Sequence, residues 1–146
     1  TAPPGSILVI NAQPGKTAVW GELATHSAIQ KKLAGLVIDG AIRDLDDLLT
    51  LPFPIFCRHI TSCAGEPKGL GETEIEIQCG GQTVQTGDWI VGDDSGIVII
   101  PQDNAQEIIN RAHHIHETEN RIRQEIKDGG SLGTVTNLKK WEKVIG

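Results

Sequence analysis

The sequence contains no methionine and no tyrosine, and aromatic residues make up only 3% of its 146 residues. A hydrophobic core must therefore come from Val, Ile, Leu and Ala, which is typical of β-sheets covered by helices. With 38% hydrophobic and 22% charged residues, the composition is that of an ordinary globular protein rather than a disordered chain. At this length we expect a single domain over residues 1–146.

Three further absences exclude whole classes of function. No run of Lys or Arg exceeds two residues and the formal net charge is −6, so we expect no nucleic-acid partner. The three cysteines form no CxxC pair, which fits neither a disulfide framework nor a tetrahedral zinc site. There is no signal-peptide pattern and no apolar run near the roughly 20 residues of a membrane span, so we expect a cytoplasmic protein with no membrane partner.

Hydrophobic periodicity predicts a mixed α/β fold with central sheets and flanking helices. The predicted strands are residues 6–11, 36–39, 54–60, 74–79, 82–85, 89–91 and 96–100. The predicted helices run from near Gly21 to Leu33, over 45–51 and over 103–128. The Gly-rich stretch 62–72 is predicted to be a loop, and 131–144 a short docking segment.

The strip VIDGAIRD, residues 37–44, is the candidate functional feature, because it ends a predicted strand in the pair Arg43 and Asp44. We expect this strand end to lie near the start of the first helix, at 21–24, and near an Asp/Gly-rich turn. Ligands of α/β proteins gather at strand carboxyl ends and helix N-termini. An Arg can pair with a carboxylate through two hydrogen bonds, and an Asp can give a divalent cation a hard oxygen ligand.

A purely structural interpretation stays open for each of these polar groups. The Arg-Asp pair can be a surface or strand-end ion pair. Glu22 and Asp39 can be solvated carboxylates at a first helical turn and a strand end. His113, His114 and His116 are better explained as a solvated helix face than as a metal cluster, since they contain no i, i+4 pair.

Five ordered blocks of sequence carry a resemblance to a known family. They are WGELA (20–24), GLVIDGAIRD (35–44), KGLGE (68–72), IQCGG (77–81) and GDWIVGDDSGIVIIP (87–101). Together they resemble the RraA-like proteins, which include class II 4-hydroxy-4-methyl-2-oxoglutarate aldolases and the bacterial inhibitor of ribonuclease E activity. Some members carry the older name demethylmenaquinone methyltransferase, but the sequence has no Gly-rich methyl-donor motif that supports it.

The resemblance implies a swivelling β/β/α domain that assembles as a homotrimer or a dimer of trimers, with active sites between subunits. The likeness runs from about Gly5 to the helix that ends near Asp128. Compared with the family, roughly forty to fifty residues usual before the opening strand are lacking. We therefore expect either a fragment or a naturally short form.

The resemblance also assigns roles to residues. The matching positions are Gly21, Glu22, Leu23 and Ala24 for the turn whose amides hold a pyruvyl carboxylate, Arg43 for substrate, and Asp44 for Mg²⁺ or Mn²⁺. The family's D-x20-RD pattern has an Asp where this chain has Glu22, whose longer side chain is expected to reach the metal through water. A further acid comes from the C-terminal helix of the neighbouring subunit, for which Glu119 is the candidate and Glu117 the fallback.

The expected function is a metal-dependent retro-aldol cleavage of a 2-oxo acid to pyruvate, in which the metal on Asp44 and Arg43 stabilise the enolate. Oxaloacetate decarboxylation passes through the same enolate and is expected as a side activity. The substrate proton is expected to go to a water, because no His or Lys is well placed by sequence. Two alternatives remain: another 2-oxo acid as substrate, or a non-catalytic regulator that binds ribonuclease E. Regulators of that branch lack the Arg-Asp pair.

Overall fold

The structure, a computed structural model, describes residues 2–12, 15–66, 69 and 71–136. The chain divides into two compact units, Thr1–Ile99 and Ile100–Gly146. Within the described residues, no helix is both long enough and apolar enough to cross a lipid bilayer.

The first unit, together with the strand that ends at the boundary, alternates strands and helices and then continues as strands alone. Its elements are β1 (Ile7–Asn11), β2 (Ala18–Trp20), α1 (Glu22–Gln30), β3 (Gly35–Ile42), α2 (Leu45–Leu48), β4 (Ile55–Ile60), β5 (Ile77–Cys79), β6 (Gln82–Val84), β7 (Trp89–Asp93) and β8 (Gly96–Ile100).

Strand β3 is the centre of a four-stranded parallel sheet. Along one edge it pairs first with β1 and then with β2, while β4 pairs along the opposite edge. Leu36, for example, lies between Leu8 of β1 and Ile55 of β4. Because all these pairings are parallel, the carboxyl ends of β2, β3 and β4 meet at one edge of the sheet.

The two faces of β3 contribute to two separate hydrophobic clusters. The cluster on the helix side contains Ala28, Leu36, Ile38, Ile42, Leu48 and Phe53. The cluster on the other side contains Val37, Cys79 and Val84, with partly buried residues of β5 to β8 packed against it. Helices therefore cover one face of the sheet and the β5–β6 and β7–β8 hairpins cover the other, which confirms the expected β/β/α layering.

Several elements differ from the sequence prediction. Strand β3 covers Gly35–Ile42 where 36–39 was predicted, α1 ends at Gln30 instead of Leu33, and α2 ends at Leu48 instead of residue 51. Strand β2 was not predicted, because its three apolar residues overlap the helical pattern, which begins at Val19. The predicted strand over 74–79 is shorter, beginning only at Ile77. Glu74 has φ 61°, a left-handed conformation that a strand does not accommodate.

The Gly-rich stretch 62–72 is irregular where described, but it has one contact with the sheet. Ala64 forms an isolated parallel bridge with Ala18 of β2. The amide of Ala18 donates to the carbonyl of Cys63 at 2.8 Å, and the amide of Gly65 donates to the carbonyl of Ala18 at 3.3 Å. The start of this loop is therefore held against β2 by backbone hydrogen bonds.

The second unit is helical. A 3₁₀ turn (Gln102–Asn104) leads into the long helix α3 (Ala105–Lys127), which confirms the helix predicted over 103–128. The helix ends before Gly129, whose φ of 102° is typical of a glycine after a helix C-terminus. A short helix, α4 (Leu132–Val135), begins with a capping box between Ser131 and Thr134. The remainder of the predicted docking segment, from residue 137, lies outside the described residues.

The buried centre of β3 gives a first testable prediction. Leu36 is fully buried, whereas Leu49, just after α2, is 75% exposed. Replacing Leu36 by Ala removes packed side-chain atoms and leaves a cavity, so we expect Leu36→Ala to lower the free energy of unfolding by about 3 kcal/mol. Urea denaturation measures this loss. The control Leu49→Ala should cost less than about 0.5 kcal/mol, and equal losses in the two variants would contradict the assigned core.

Candidate active site

Arg43 and Asp44 directly follow β3 at the edge where the carboxyl ends of three parallel strands meet. The amide of Arg43 still bonds the carbonyl of Trp20 in β2 at 3.0 Å, so its backbone is fixed by the sheet. Asp44 then turns the chain with φ 59° and ψ 39°, in the left-handed region. Non-glycine residues rarely adopt this conformation, and it is concentrated at functional sites.

The carboxylate of Asp44 binds the N-terminus of α1. Asp44 stands at the N-cap position of α2, yet its side chain makes no capping bond to that helix. Instead its Oδ2 accepts a hydrogen bond from the backbone amide of Glu22 at 3.0 Å. A helix N-terminus has unpaired amides and a partial positive charge, so it favours an anion at this point.

Gly21, the N-cap residue of α1, allows this contact because it has no side chain. A Cβ atom at Gly21 would lie 2.4 Å from Asp44 Oδ2 and 3.0 Å from both Cγ and Nε of Arg43. The φ of Gly21 is −163°, an extended conformation open to any residue, so the requirement for glycine is steric. Three of the predicted site residues are thus brought into direct contact.

Arg43 lies against Asp44 but remains accessible. Its Nε is 3.4 Å from Asp44 Oδ2, and the two side chains are 41% and 35% exposed. Among the described residues, no other acidic side chain forms an ion pair with Arg43. The structural alternative, a strand-end ion pair, describes this contact correctly. It does not account for the bond from Asp44 to the helix amide.

Glu22 contacts Asp44 through its backbone only. Its carboxylate pairs with His26 one helical turn further on, with Glu22 Oε1 and His26 Nε2 2.9 Å apart. His26 was not among the predicted site residues, although the i, i+4 spacing of a Glu and a His is a recognisable signal. Leu23 is exposed on the helix surface and Ala24 is half-buried, so the first turn of α1 borders the accessible side of the site.

The donor set fits a divalent cation only in part. In the described part of the chain, no group of three or more His, Cys, Asp or Glu side chains is arranged to hold a metal. Asp44 offers an exposed carboxylate at this edge, beside Arg43. Mg²⁺ is commonly held by one or two carboxylates, with the remaining positions filled by water and substrate oxygens, and Asp44 suits that mode.

The other predicted site residues lie in different places. Glu119 and its fallback Glu117 are exposed residues of α3 in the second unit, and their contribution to a neighbouring subunit stays a prediction. An Asp/Gly-rich turn was also expected near Arg43, but for the predicted turn cluster GDDS (92–95) this is wrong at Gly92, which belongs to β7. A Cβ at Gly92 would lie 2.8 Å from the ring of Phe56, in the cluster on the face opposite α1.

Asp39 is not the solvated carboxylate that one interpretation expected. One of its oxygens pairs with Nε of Arg58 on β4, and the other accepts a hydrogen bond from the amide of Gly80 at 2.7 Å. The hydrogen bond from Arg58, followed by that from Gly80, lowers the pKa of Asp39 below its ordinary value. This group ties the turn of the β5–β6 hairpin to the sheet. Arg58 was missed because its partner lies on another strand.

The three cysteines of the chain are free. Burial raises the pKa of both Cys57 and Cys79, which favours the protonated thiol. Protonated thiols are poor nucleophiles, so these two residues are best explained as core residues.

The fold and the site together define a β/β/α protein with an acid-capped helix N-terminus at the carboxyl edge of its parallel sheet. Comparison with known proteins agrees with this class: the family model RraA-like (Aldolase/RraA) matches residues 1–99. The chain belongs to the RraA-like family.

Individual relatives carry different names. An uncharacterized protein of Methanocaldococcus jannaschii is 44% identical over 84% of this chain and 59% of its own length. A protein of Halalkalibacterium halodurans, named "putative 4-hydroxy-4-methyl-2-oxoglutarate aldolase", is 39% identical over 76% of this chain and 53% of its own length. The chain thus spans just over half the length of these two curated relatives.

A solved structure is similar over most of the chain. Streptomyces coelicolor RraAS2, described as an unusual member of the RNase ES inhibitor RraA protein family, is 31% identical with a TM-score of 0.78. The match covers 84% of this chain and 63% of that one. The family therefore contains both aldolase-named and inhibitor-named relatives of this chain.

The close approach at Gly21 gives a second prediction. In Gly21→Ala the new methyl group must displace the Asp44 carboxylate, so we expect the bond to the Glu22 amide to be lost at a cost of about 1 kcal/mol in stability. The ¹H–¹⁵N signal of Glu22 should shift, as measured by NMR. Gly133→Ala is the control, because a Cβ at that helical position meets no atom within 4 Å. An unchanged Glu22 signal in Gly21→Ala would contradict the contact.

The lowered pKa of Asp39 gives a third prediction. Because the folded-state pKa lies below the unfolded value, the resulting stability is present above that unfolded value, about pH 4, and is lost as the pH falls through the folded pKa. We expect Asp39→Asn to be less stable than wild type at pH 7 and to lose less stability between pH 5 and pH 2. Denaturation at several pH values measures this. Asp94→Asn, in the exposed β7–β8 turn, should keep the wild-type pH dependence.

Proposed function

We propose that this chain provides the active site of a divalent-metal-dependent lyase that cleaves a 4-hydroxy-4-methyl-2-oxoglutarate-type 2-oxo acid and releases pyruvate. The observation that carries the proposal is the Asp44 carboxylate on the N-terminus of α1, with Arg43 beside it. Relatives named as aldolases of this substrate support the substrate class.

In the proposed reaction, the N-terminus of α1 and Arg43 bind the substrate. The first-turn amides of Leu23 and Ala24 have no acceptor within the helix, so they are available to the carboxylate of a 2-oxo acid. Arg43, whose Nε lies 3.4 Å from Asp44 Oδ2 and whose side chain is 41% exposed, can direct its terminal donors to the same anion. Arg43 also stabilises the negative charge that develops on the pyruvate portion as the C–C bond breaks.

Asp44 is the residue proposed to hold Mg²⁺ or Mn²⁺ directly, with Glu22 acting through water. The cation would supply Lewis-acid stabilisation of the developing enolate charge. Asp44 itself keeps its place through the Glu22 amide, so its carboxylate does not have to be reoriented when substrate arrives.

The substrate hydroxyl proton must leave as the C–C bond breaks. Glu22 can hold the water that receives this proton, because its carboxylate extends from the same helical turn as the binding amides and is partly exposed. Its hydrogen bond to His26 restricts the rotamers of the longer Glu side chain, which stands where the family pattern has Asp. The same site would decarboxylate oxaloacetate.

Assembly belongs to this proposal as well. A homotrimer or a dimer of trimers would let a neighbouring subunit place Glu119, or Glu117, at the site. Both side chains are exposed on α3, so they are accessible to another subunit. The inhibitor-named relative supports a second candidate, a regulator that binds ribonuclease E by its surface.

The fourth prediction tests the lyase. With Mg²⁺ added, we expect wild type to release pyruvate from 4-hydroxy-4-methyl-2-oxoglutarate and from oxaloacetate, and Asp44→Asn to lower kcat/KM by roughly 100-fold or more. Coupled lactate dehydrogenase measures the pyruvate. Asp46→Asn removes the charge of an exposed acid two residues away and should keep wild-type activity.

Two outcomes would count against the lyase. Equal rates for wild type and Asp44→Asn would refute the role of Asp44. An inactive wild type that binds ribonuclease E in isothermal titration, with neither metal nor oxo acid present, would favour the regulator, since surface binding does not use the Asp44 carboxylate.

A further inference from the structure

We infer that Trp20 and Thr25 form a positioning relay that fixes the peptide group between Gly21 and Glu22, and thereby the binding amides of α1. The inference rests on the proposed function, because it concerns the same site. Neither residue touches the candidate ligand position through its side chain, so both are positioning residues and not catalytic ones.

The relay consists of two side-chain hydrogen bonds. The indole Nε1–H of Trp20 donates to Oγ1 of Thr25 at 2.8 Å, and the Thr25 hydroxyl donates to the carbonyl of Gly21 at 3.1 Å. Thr25 is fully buried, whereas Trp20 is half-buried against the helix-side cluster. A helical Thr often donates its hydroxyl to the carbonyl four residues earlier and makes no other bond. The Thr25 hydroxyl also accepts a hydrogen bond, from Trp20, so it links two residues.

The relay fixes the one peptide group on which the site depends. Its carbonyl, from Gly21, accepts from both the amide and the hydroxyl of Thr25. Its amide, from Glu22, donates to Asp44 Oδ2. The peptide is therefore held at both ends, and its orientation sets the direction in which the next amides of α1 point.

Trp20 connects this peptide to the substrate-binding Arg as well. Its backbone carbonyl accepts the amide of Arg43 at 3.0 Å, while its indole bonds Thr25. One residue thus couples the end of β3 to the start of α1. A site built from two elements needs such a coupling, because both binding groups must keep their relative position if one substrate is to contact them together.

The test removes the hydroxyl while keeping the shape of the side chain. Amides that hold the carboxylate act in the ground state and the transition state alike, so their misplacement raises KM more than it lowers kcat. In oxaloacetate decarboxylation with Mg²⁺, we expect Thr25→Val to raise KM about tenfold and to change kcat by less than about threefold. Thr25→Ser keeps the hydroxyl and should restore the wild-type KM.

Two matched controls separate the relay from general effects on folding. Thr118→Val deletes the same kind of bond, from a Thr hydroxyl to the carbonyl four residues earlier, on α3, and should leave KM unchanged. Should Thr25→Val fail to fold, Trp20→Phe removes the indole donor while keeping an aromatic ring, and it should raise KM in the same way. Trp89→Phe, at a tryptophan that is 53% exposed, is its control. Loss of folded protein alone would lower kcat and leave KM unchanged.

NMR provides a readout without metal or substrate. The Trp20 indole ¹H–¹⁵N signal, assigned by its loss in Trp20→Phe, should move upfield in Thr25→Val and stay near its wild-type position in Thr25→Ser and Thr118→Val. A wild-type KM in folded Thr25→Val and in Trp20→Phe would overturn the relay and leave the proposed function intact. Absence of turnover in wild type would overturn both.

Discussion

The pairing of β3 on both of its edges is the constraint on which the rest of this protein depends. A strand with neighbours on either side and apolar clusters on both faces has its register fixed, because a shift by one residue would exchange Leu36 and Ile38 with Val37 and Asp39 between the two faces. The positions of the residues directly after the strand are fixed by the same register. Arg43 and Asp44 are therefore placed by the core itself and not by a mobile loop.

The site adds a local electrostatic interaction to this frame. Asp44 adopts a left-handed backbone conformation and directs its carboxylate to the start of α1 instead of capping its own helix. Such a conformation costs free energy, which the helix-end interaction offsets in part. The contact requires glycine at position 21, because a side chain there would clash with Asp44. Thr25 holds the carbonyl end of the same peptide group. The RraA-like family, to which the chain belongs, includes relatives named as aldolases. In the proposed lyase, the Asp44 carboxylate would bind the cation, and Arg43 and the start of α1 would bind the anionic substrate.

Asp39 shows that a polar residue in the same strip has a different purpose. It lies five residues before Asp44, on the other face of the sheet, where Arg58 and Gly80 each bond one of its two oxygens. A carboxylate with both oxygens bonded within the protein is unsuited to binding a ligand, and its role is to attach a hairpin. Asp39 and Asp44, the two acidic residues of VIDGAIRD, thus have different hydrogen-bond partners, although both lie at or near the end of one strand.

The sequence by itself determined the elements whose signals are local. The apolar run of β3 and the helical periodicity of α1 and α3 are each visible in consecutive residues, and so is the adjacency of Arg43 and Asp44. Only the tertiary structure decided that the Asp44 carboxylate binds the Glu22 amide, that Arg58 pairs with Asp39, and that Trp20 reaches Thr25. The physical reason is that a side chain selects partners by distance and direction in space. The left-handed turn at Asp44 and the parallel register of β3 set these, and no spacing along the chain encodes them.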